Sequence, residues 1–154
     1  VLLIGDGLKR TRLMHLANQR RISTDCLSFL DPLPYKELAG SLCAADLAVI
    51  ALDSNSSQSS LPSKTFNALA CGTPLLVLAP SDSALALLVH EHHCGFVIDP
   101  GQNASVRIFD LLFQLHNNPK MLDDLSVNAL SASKKFTSHN ADLLVDSLLQ
   151  PFLS

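Results

Sequence analysis

Apolar residues occur along this chain in short blocks, and the spacing inside successive blocks switches between unbroken runs and a helical period. Residues 1–4 are a continuous apolar run, VLLI, ended by the turn Gly5-Asp6-Gly7. Over residues 8–20, Leu13, Met14 and Ala17 recur at helical spacing, with Lys9, Arg10 and Arg12 on the other side. A helix with the apolar stripe inward is expected there. Residues 26–30 form a second strand-like run, closed by Asp31-Pro32-Leu33-Pro34. Residues 35–45 read as a helix with Leu38, Ala39 and Leu42 inward. Residues 46–52 are a continuous run of the kind that a parallel sheet buries on both faces.

Residues 53–60, DSNSSQSS, hold no apolar side chain and lead into a helix with clear punctuation. Pro62 suits the first helical position, because its missing N–H would be unpaired there anyway. Gly72 followed by Pro74 is a stop signal. Phe66, Leu69 and Ala70 are the expected core face, and Lys64, Asn67 and Cys71 the outward stripe. A strand at 75–79, a helix at 83–91 and a strand at 95–98 follow. Three helical patterns then close the chain, at 104–116, 119–136 and 140–149, with Ile108, Leu111, Leu112 and Leu115 striping the first and Leu122, Leu125, Ala129, Ala132 and Phe136 the second. Strand–helix alternation followed by helices alone predicts an α/β class. The expected architecture is a three-layer Rossmann-like parallel sheet over residues 1–117, with residues 118–154 as extra C-terminal helices packed on it or on a further domain.

Composition narrows the function classes. The hydrophobic fraction of 47% in 154 residues is ample for one packed core. A net charge of −3 and an aromatic content of 5% argue against a nucleic-acid surface, which needs a basic footprint and stacking platforms. No apolar stretch reaches the roughly 18 residues of a membrane span, and no Lys/Arg run suggests binding to anionic lipid. Cys26, Cys43, Cys71 and Cys94 form no C-x-x-C pair, so buried or reduced thiols are expected rather than a zinc site. The His90-Glu91-His92-His93 cluster lacks the i, i+4 histidine spacing of a helical metal site and reads as a helix end. Because it opens at Val1 inside an apolar run, the chain reads as a fragment lacking its first β-α unit.

Candidate chemistry gathers where the strands end, since open α/β sheets bind ligands beyond the carboxyl ends of their strands. Three segments qualify: the Gly5–Gly7 turn, residues 30–34 and residues 53–64. A helix N-terminus offers amides and partial positive charge to a phosphate, and Lys64 in that first turn is out of place on dipole grounds unless an anion is present. The G-x-G turn is not a dinucleotide fingerprint, because Arg10 occupies the position of the third glycine.

The order LLIGDG, CLSFLDPLP, YKELAGSLCAADLAVIAL, SLPSKTFNALACGTPLLV, HHCGFVIDPG resembles the C-terminal, nucleotide-sugar-binding half of a GT-B glycosyltransferase. It is most similar to the retaining group 1 enzymes classed as family 4, and the Leu-Pro-Ser-Lys variant to members acting in bacterial polysaccharide assembly. The resemblance implies that Ser60, Leu61, Ser63 and Lys64 hold the diphosphate of a UDP- or GDP-sugar, with no further cofactor and no metal. It implies that Asn67 meets the ribose and that Ser59 faces the donor sugar. Leu30, Asp31 and Leu33 would hold the base through main-chain groups, and Gly5 and Gly7 would face the cleft. Lys64 and Ser59 are the expected catalytic side chains.

Both glutamates of the family's paired-acid motif are absent, replaced by Ser59 and Asn67. The family's diphosphate-neutralising Arg/Lys pair lies upstream of Val1. The implied activity is transfer of a hexose-like sugar with retention, in the full-length context, to a glycan or lipid-linked acceptor held by an N-terminal domain. The isolated chain is expected to be inactive. The setting implied is cytoplasmic, with membrane association open for the full-length protein. If the last helix packs on another domain, Leu143, Leu144, Leu148 and Phe152 would drive self-association of the isolated chain. The alternative is a non-catalytic GT-B-like domain that binds a nucleotide or a protein partner. A flavodoxin-like regulatory domain fits less well, since the strand ends lack a phosphoacceptor's acidic cluster.

Overall fold

The computed structural model describes residues 1–52, 61–137 and 140. Ser59 and Ser60, the helix expected at 140–149 beyond its first residue, and Leu143, Leu144, Leu148 and Phe152 lie outside the described residues. The chain divides into two compact units, Val1–Gly40 and a second that begins at Ser41.

The first unit contains β1 (Leu2–Ile4), α1 (Arg10–Gln19) and β2 (Ser28–Leu30). The two strands run parallel, with Leu2 opposite Ser28 and Ile4 opposite Leu30. α1 forms where its period placed it, but the inward stripe is corrected: Leu13 is 42% and Met14 45% exposed, and α1 buries no residue. Two strands of three residues give a helix too little apolar surface to bury its stripe against. The helix ends with Arg21 in the left-handed region, φ 53°, where Ile22 N–H donates to the Ala17 carbonyl at 3.0 Å and Arg21 N–H to Asn18 at 2.9 Å.

α2 (Tyr35–Cys43) leads into the second unit, which holds β3 (Ala48–Ala51), α3 (Ser63–Ala70), β4 (Leu75–Leu78), α4 (Ala84–His92), β5 (Gly95–Ile98), α5 (Ala104–Asn117) and α6 (Lys120–Ser133). Its strands are parallel in the order β3-β4-β5. Leu38 and Ala39 of α2 are exposed rather than inward, and Leu42 is half-buried. Burial on both faces belongs to the middle strand β4, where Leu75, Leu76 and Val77 are 0–2% exposed. It does not belong to β3, the edge of this sheet, where Ile50 is buried and Val49 is 60% exposed. An unbroken apolar run marks a parallel strand but not its place in the sheet.

Ser83 caps α4, its hydroxyl accepting the Ala86 N–H at 3.2 Å. The core joins Ile50 of β3, Leu75 and Val77 of β4, Leu69 of α3, Leu85 of α4 and Ala129 of α6. Ala129 and Ala132 bring α6 close to this core, because small side chains allow close approach. Phe136, expected as the last residue of that helix, lies beyond its end at Ser133, and its ring sits 4.9 Å from Phe66. On α5, Leu115 is buried and Leu112 is 43% exposed, so only part of the expected stripe faces inward.

Candidate functional site

α3 is the best-positioned candidate element. Its cap is Pro62, one residue before the expected place, with φ −61° and ψ 138°. Proline has no side chain to cap the first amides, and the first turn contains no acidic residue. The Thr65 N–H donates to the Pro62 carbonyl at 2.9 Å. The buried face is Thr65, Ala68 and Leu69, each 0% exposed, so that of the expected Phe66, Leu69 and Ala70 only Leu69 is buried. Phe66 is half-buried and Ala70 exposed. The helix is thus turned by one residue, about 100°, because the Thr65 hydroxyl made an inward position read as outward. Ser63, Lys64 and Asn67 are exposed on the opposite side, and Leu61 is 37% exposed at the approach. At i, i+3 spacing Lys64 and Asn67 are neighbours with Cβ atoms roughly 5–6 Å apart.

The other end of α3 is pinned. Gly72 has φ +71°; its N–H donates to the Leu69 carbonyl at 3.0 Å, and the Thr73 N–H donates to Ala68 at 2.9 Å. This is a Schellman motif with Pro74 immediately after it. The Thr65 hydroxyl oxygen, by contrast, is buried and finds no hydrogen-bond partner among the described residues. Thr65→Val removes that orphaned group at nearly constant shape and is expected to raise stability by about 1 kcal/mol in urea denaturation.

The first unit gathers its own candidates at the carboxyl ends of β1 and β2. The Gly5 N–H donates to the Leu30 carbonyl at 3.1 Å, and φ +128° at Gly5 explains the glycine. The Gly7 carbonyl accepts the Arg10 N–H at 2.8 Å as α1 begins. Leu30 and Asp31 are exposed and Leu33 half-buried. Arg10, expected to point outward, instead reaches Asp31 with Nη1 2.7 Å from Oδ1. Its side chain is 22% exposed and that of Asp31 85%. With one partner so exposed, the pair is worth roughly 0–1 kcal/mol. Its effect is geometric: it ties the start of α1 to the loop after β2. Arg10 is the residue that sequence reasoning missed, and spacing along the chain carries no signal for a pair 21 positions apart.

Thus Gly5, Gly7, Leu30, Asp31 and Leu33 group within the first unit, and Leu61, Ser63, Lys64 and Asn67 within the second. Among the described residues no three His, Cys, Asp or Glu side chains come together as a metal ion would require. None of the described helices is long and apolar enough to cross a membrane.

The model of the family described as "Glycosyl transferases group 1" matches residues 1–131. Among solved structures, the chain is similar to sucrose-phosphate synthase from Thermosynechococcus elongatus, at 21% identity and TM-score 0.76, covering 99% of this chain and 38% of that one. It is similar to Anabaena HepE, solved in complex with UDP-glucose, at 17% identity and TM-score 0.74, covering 97% and 40%. WaaG, a glycosyltransferase involved in lipopolysaccharide biosynthesis, aligns at 17% identity and TM-score 0.69, covering 86% and 33%. The chain therefore spans about a third to two fifths of the length of these structural relatives. Among curated proteins, no sequence matches it.

Proposed function

The chain belongs to the glycosyl transferases group 1 family, and from that premise we propose that it is the donor-binding part of a glycosyltransferase, taking a nucleotide-diphosphate sugar. The observation that carries this reading is α3: a proline-capped N-terminus with exposed Lys64 and Asn67 on one side, held by a buried opposite face. In this reading the first amides of α3 and Lys64 take the diphosphate, whose charge grows as the bond to the sugar breaks. Asn67 hydrogen-bonds the ribose as both donor and acceptor. Ser59 serves the donor sugar, and Ser60, Leu61 and Ser63 serve the diphosphate. The donor is a UDP- or GDP-sugar; a UDP-glucose complex of a relative of this fold supports the uridine choice. Transfer proceeds with retention, to a glycan or lipid-linked acceptor held elsewhere in the full-length enzyme, and the isolated chain binds donor but transfers little.

Calorimetric titration of the chain with UDP, GDP and ADP tests this. One nucleotide is expected to bind saturably, and Lys64→Ala to weaken it about tenfold, as loss of one charge-assisted contact implies. The replacement of two acids by Ser59 and Asn67 favours the second reading, a non-catalytic domain of the same fold. Nucleotide binding that is indifferent to Lys64→Ala would remove α3 from the site. No binding at millimolar concentration would leave the protein-interaction reading.

A further inference from the structure

α2 and α3 end side by side. The Thr73 hydroxyl donates to the Leu42 carbonyl at 2.8 Å, joining the last turn of α2 to the loop that leaves α3. Cys43 is the last residue of α2 and Cys71 the cap of α3, so this contact brings two cysteines together. Cys43 is near enough to act on the Cys71 thiol. Cys43 is exposed, and Cys71 is half-buried.

We propose that Cys43 and Cys71 are a modification site, a dithiol that a hydroperoxide closes to an intrachain disulfide. Exposed Cys43 meets the oxidant. Its sulfur attacks the peroxide, an S–O bond forms, the O–O bond breaks and water leaves, giving a sulfenic acid. The Cys71 sulfur then attacks the Cys43 sulfur; the S–O bond breaks, and the hydroxide leaves as water with the Cys71 proton. Two thiols lose two electrons and two protons, and hydrogen peroxide becomes two waters. Burial first, and then the contact with Cys43, push the Cys71 thiol up to about 11, so it retains its proton until this second step. The other cysteines differ. Cys94 is 0% exposed, with burial pushing its thiol up to about 11, and Cys26 is exposed in the first unit.

The cross-link would enclose β3 and α3, and with them Lys64 and Asn67. It would remove conformational freedom from the unfolded chain, so oxidation is expected to raise the melting temperature by about 5 °C or more.

The test treats the folded chain with hydrogen peroxide, alkylates the remaining thiols, and maps non-reduced peptides by mass spectrometry. The expected product is a Cys43–Cys71 peptide pair, lighter by two hydrogens and reversed by dithiothreitol, formed equally in Cys26→Ser. The melting temperature should rise in both proteins and not in Cys43→Ser. Peroxide that leaves Cys43 and Cys71 alkylatable, or over-oxidises Cys43 with no cross-linked peptide, would overturn the proposal. So would a dominant bond between Cys26 residues of two chains. Mapping on the wild type and on Cys26→Ser decides the matter even if replacement of Cys43 or Cys71 prevents folding.

Discussion

Gly95→Ala is expected to cost the second unit about 4 kcal/mol or more of stability. A Cβ on Gly95 would lie 2.0 Å from the Leu75 carbonyl oxygen and 2.8 Å from the Leu75 carbonyl carbon and nitrogen. These are backbone atoms, so no rotamer change relieves the clash. Leu75 is fully buried at the start of the middle strand, opposite Gly95 in the β4–β5 ladder and opposite Ala48 in the β3–β4 ladder. Moving it away from β5 disturbs its pairing with β3. Set against a whole-domain stability of roughly 5–15 kcal/mol, such a loss removes between about a quarter and four fifths of the margin. Gly101→Ala is the control, because its Cβ would meet only Asp99 Oδ1 at 3.9 Å, an ordinary contact. Urea denaturation followed by circular dichroism compares the two. A Gly95→Ala midpoint equal to that of Gly101→Ala would show that β4 and β5 do not approach in this register.

Gly72→Ala is expected to cost about 2–3 kcal/mol, from two separable sources. The first is backbone strain: φ +71° is left-handed, which costs a residue with a Cβ roughly 1–2 kcal/mol. The second is steric, since the new Cβ would lie 2.9 Å from Leu130 Cγ and 3.2 Å from its Cδ1 on α6. Leu130 is 45% exposed and can yield toward solvent, which keeps this part at the low end of the overpacking range of about 1–3 kcal/mol. A double-mutant cycle separates the sources. Adding Leu130→Ala to Gly72→Ala should recover the steric part and leave the strain. Full additivity would mean that α3 and α6 do not meet at this point. The substitution also bears on the candidate site, because the Schellman motif at Gly72 fixes where α3 ends and so where Lys64 points.

Gly72 and Gly95 also show what can be read from a chain and what cannot. Gly72 was legible: a glycine ahead of Pro74 at the end of a helical period marks a C-terminus by local chemistry alone. Two other helices end the same way without glycine. Arg21 with φ 53° and His93 with φ 48° occupy the corresponding positions after α1 and α4, and neither residue type announces a left-handed backbone. Gly95 read only as the head of a strand; its need to be glycine comes from Leu75, on a neighbouring strand.

The strands and helices were legible because hydrophobic period is a local property, and parallel α/β topology follows from their alternation. Membership of the family was legible through PSK, ACGTP and GFVIDPG at fixed intervals. α3, with Lys64 and Asn67 outward, was legible from one helical repeat. The buried face was not, because Thr65 is polar by composition and buried by position. Nor was the exposure of β3, since an apolar run is the same at the edge of a sheet as at its centre. The Arg10–Asp31 pair and the Cys43–Cys71 pair were out of reach for a common reason. Each joins side chains far apart in sequence, and their meeting depends on which strands pair and which helix ends abut. Local sequence determined the elements and the family motifs; tertiary packing alone decided which residues of those elements touch.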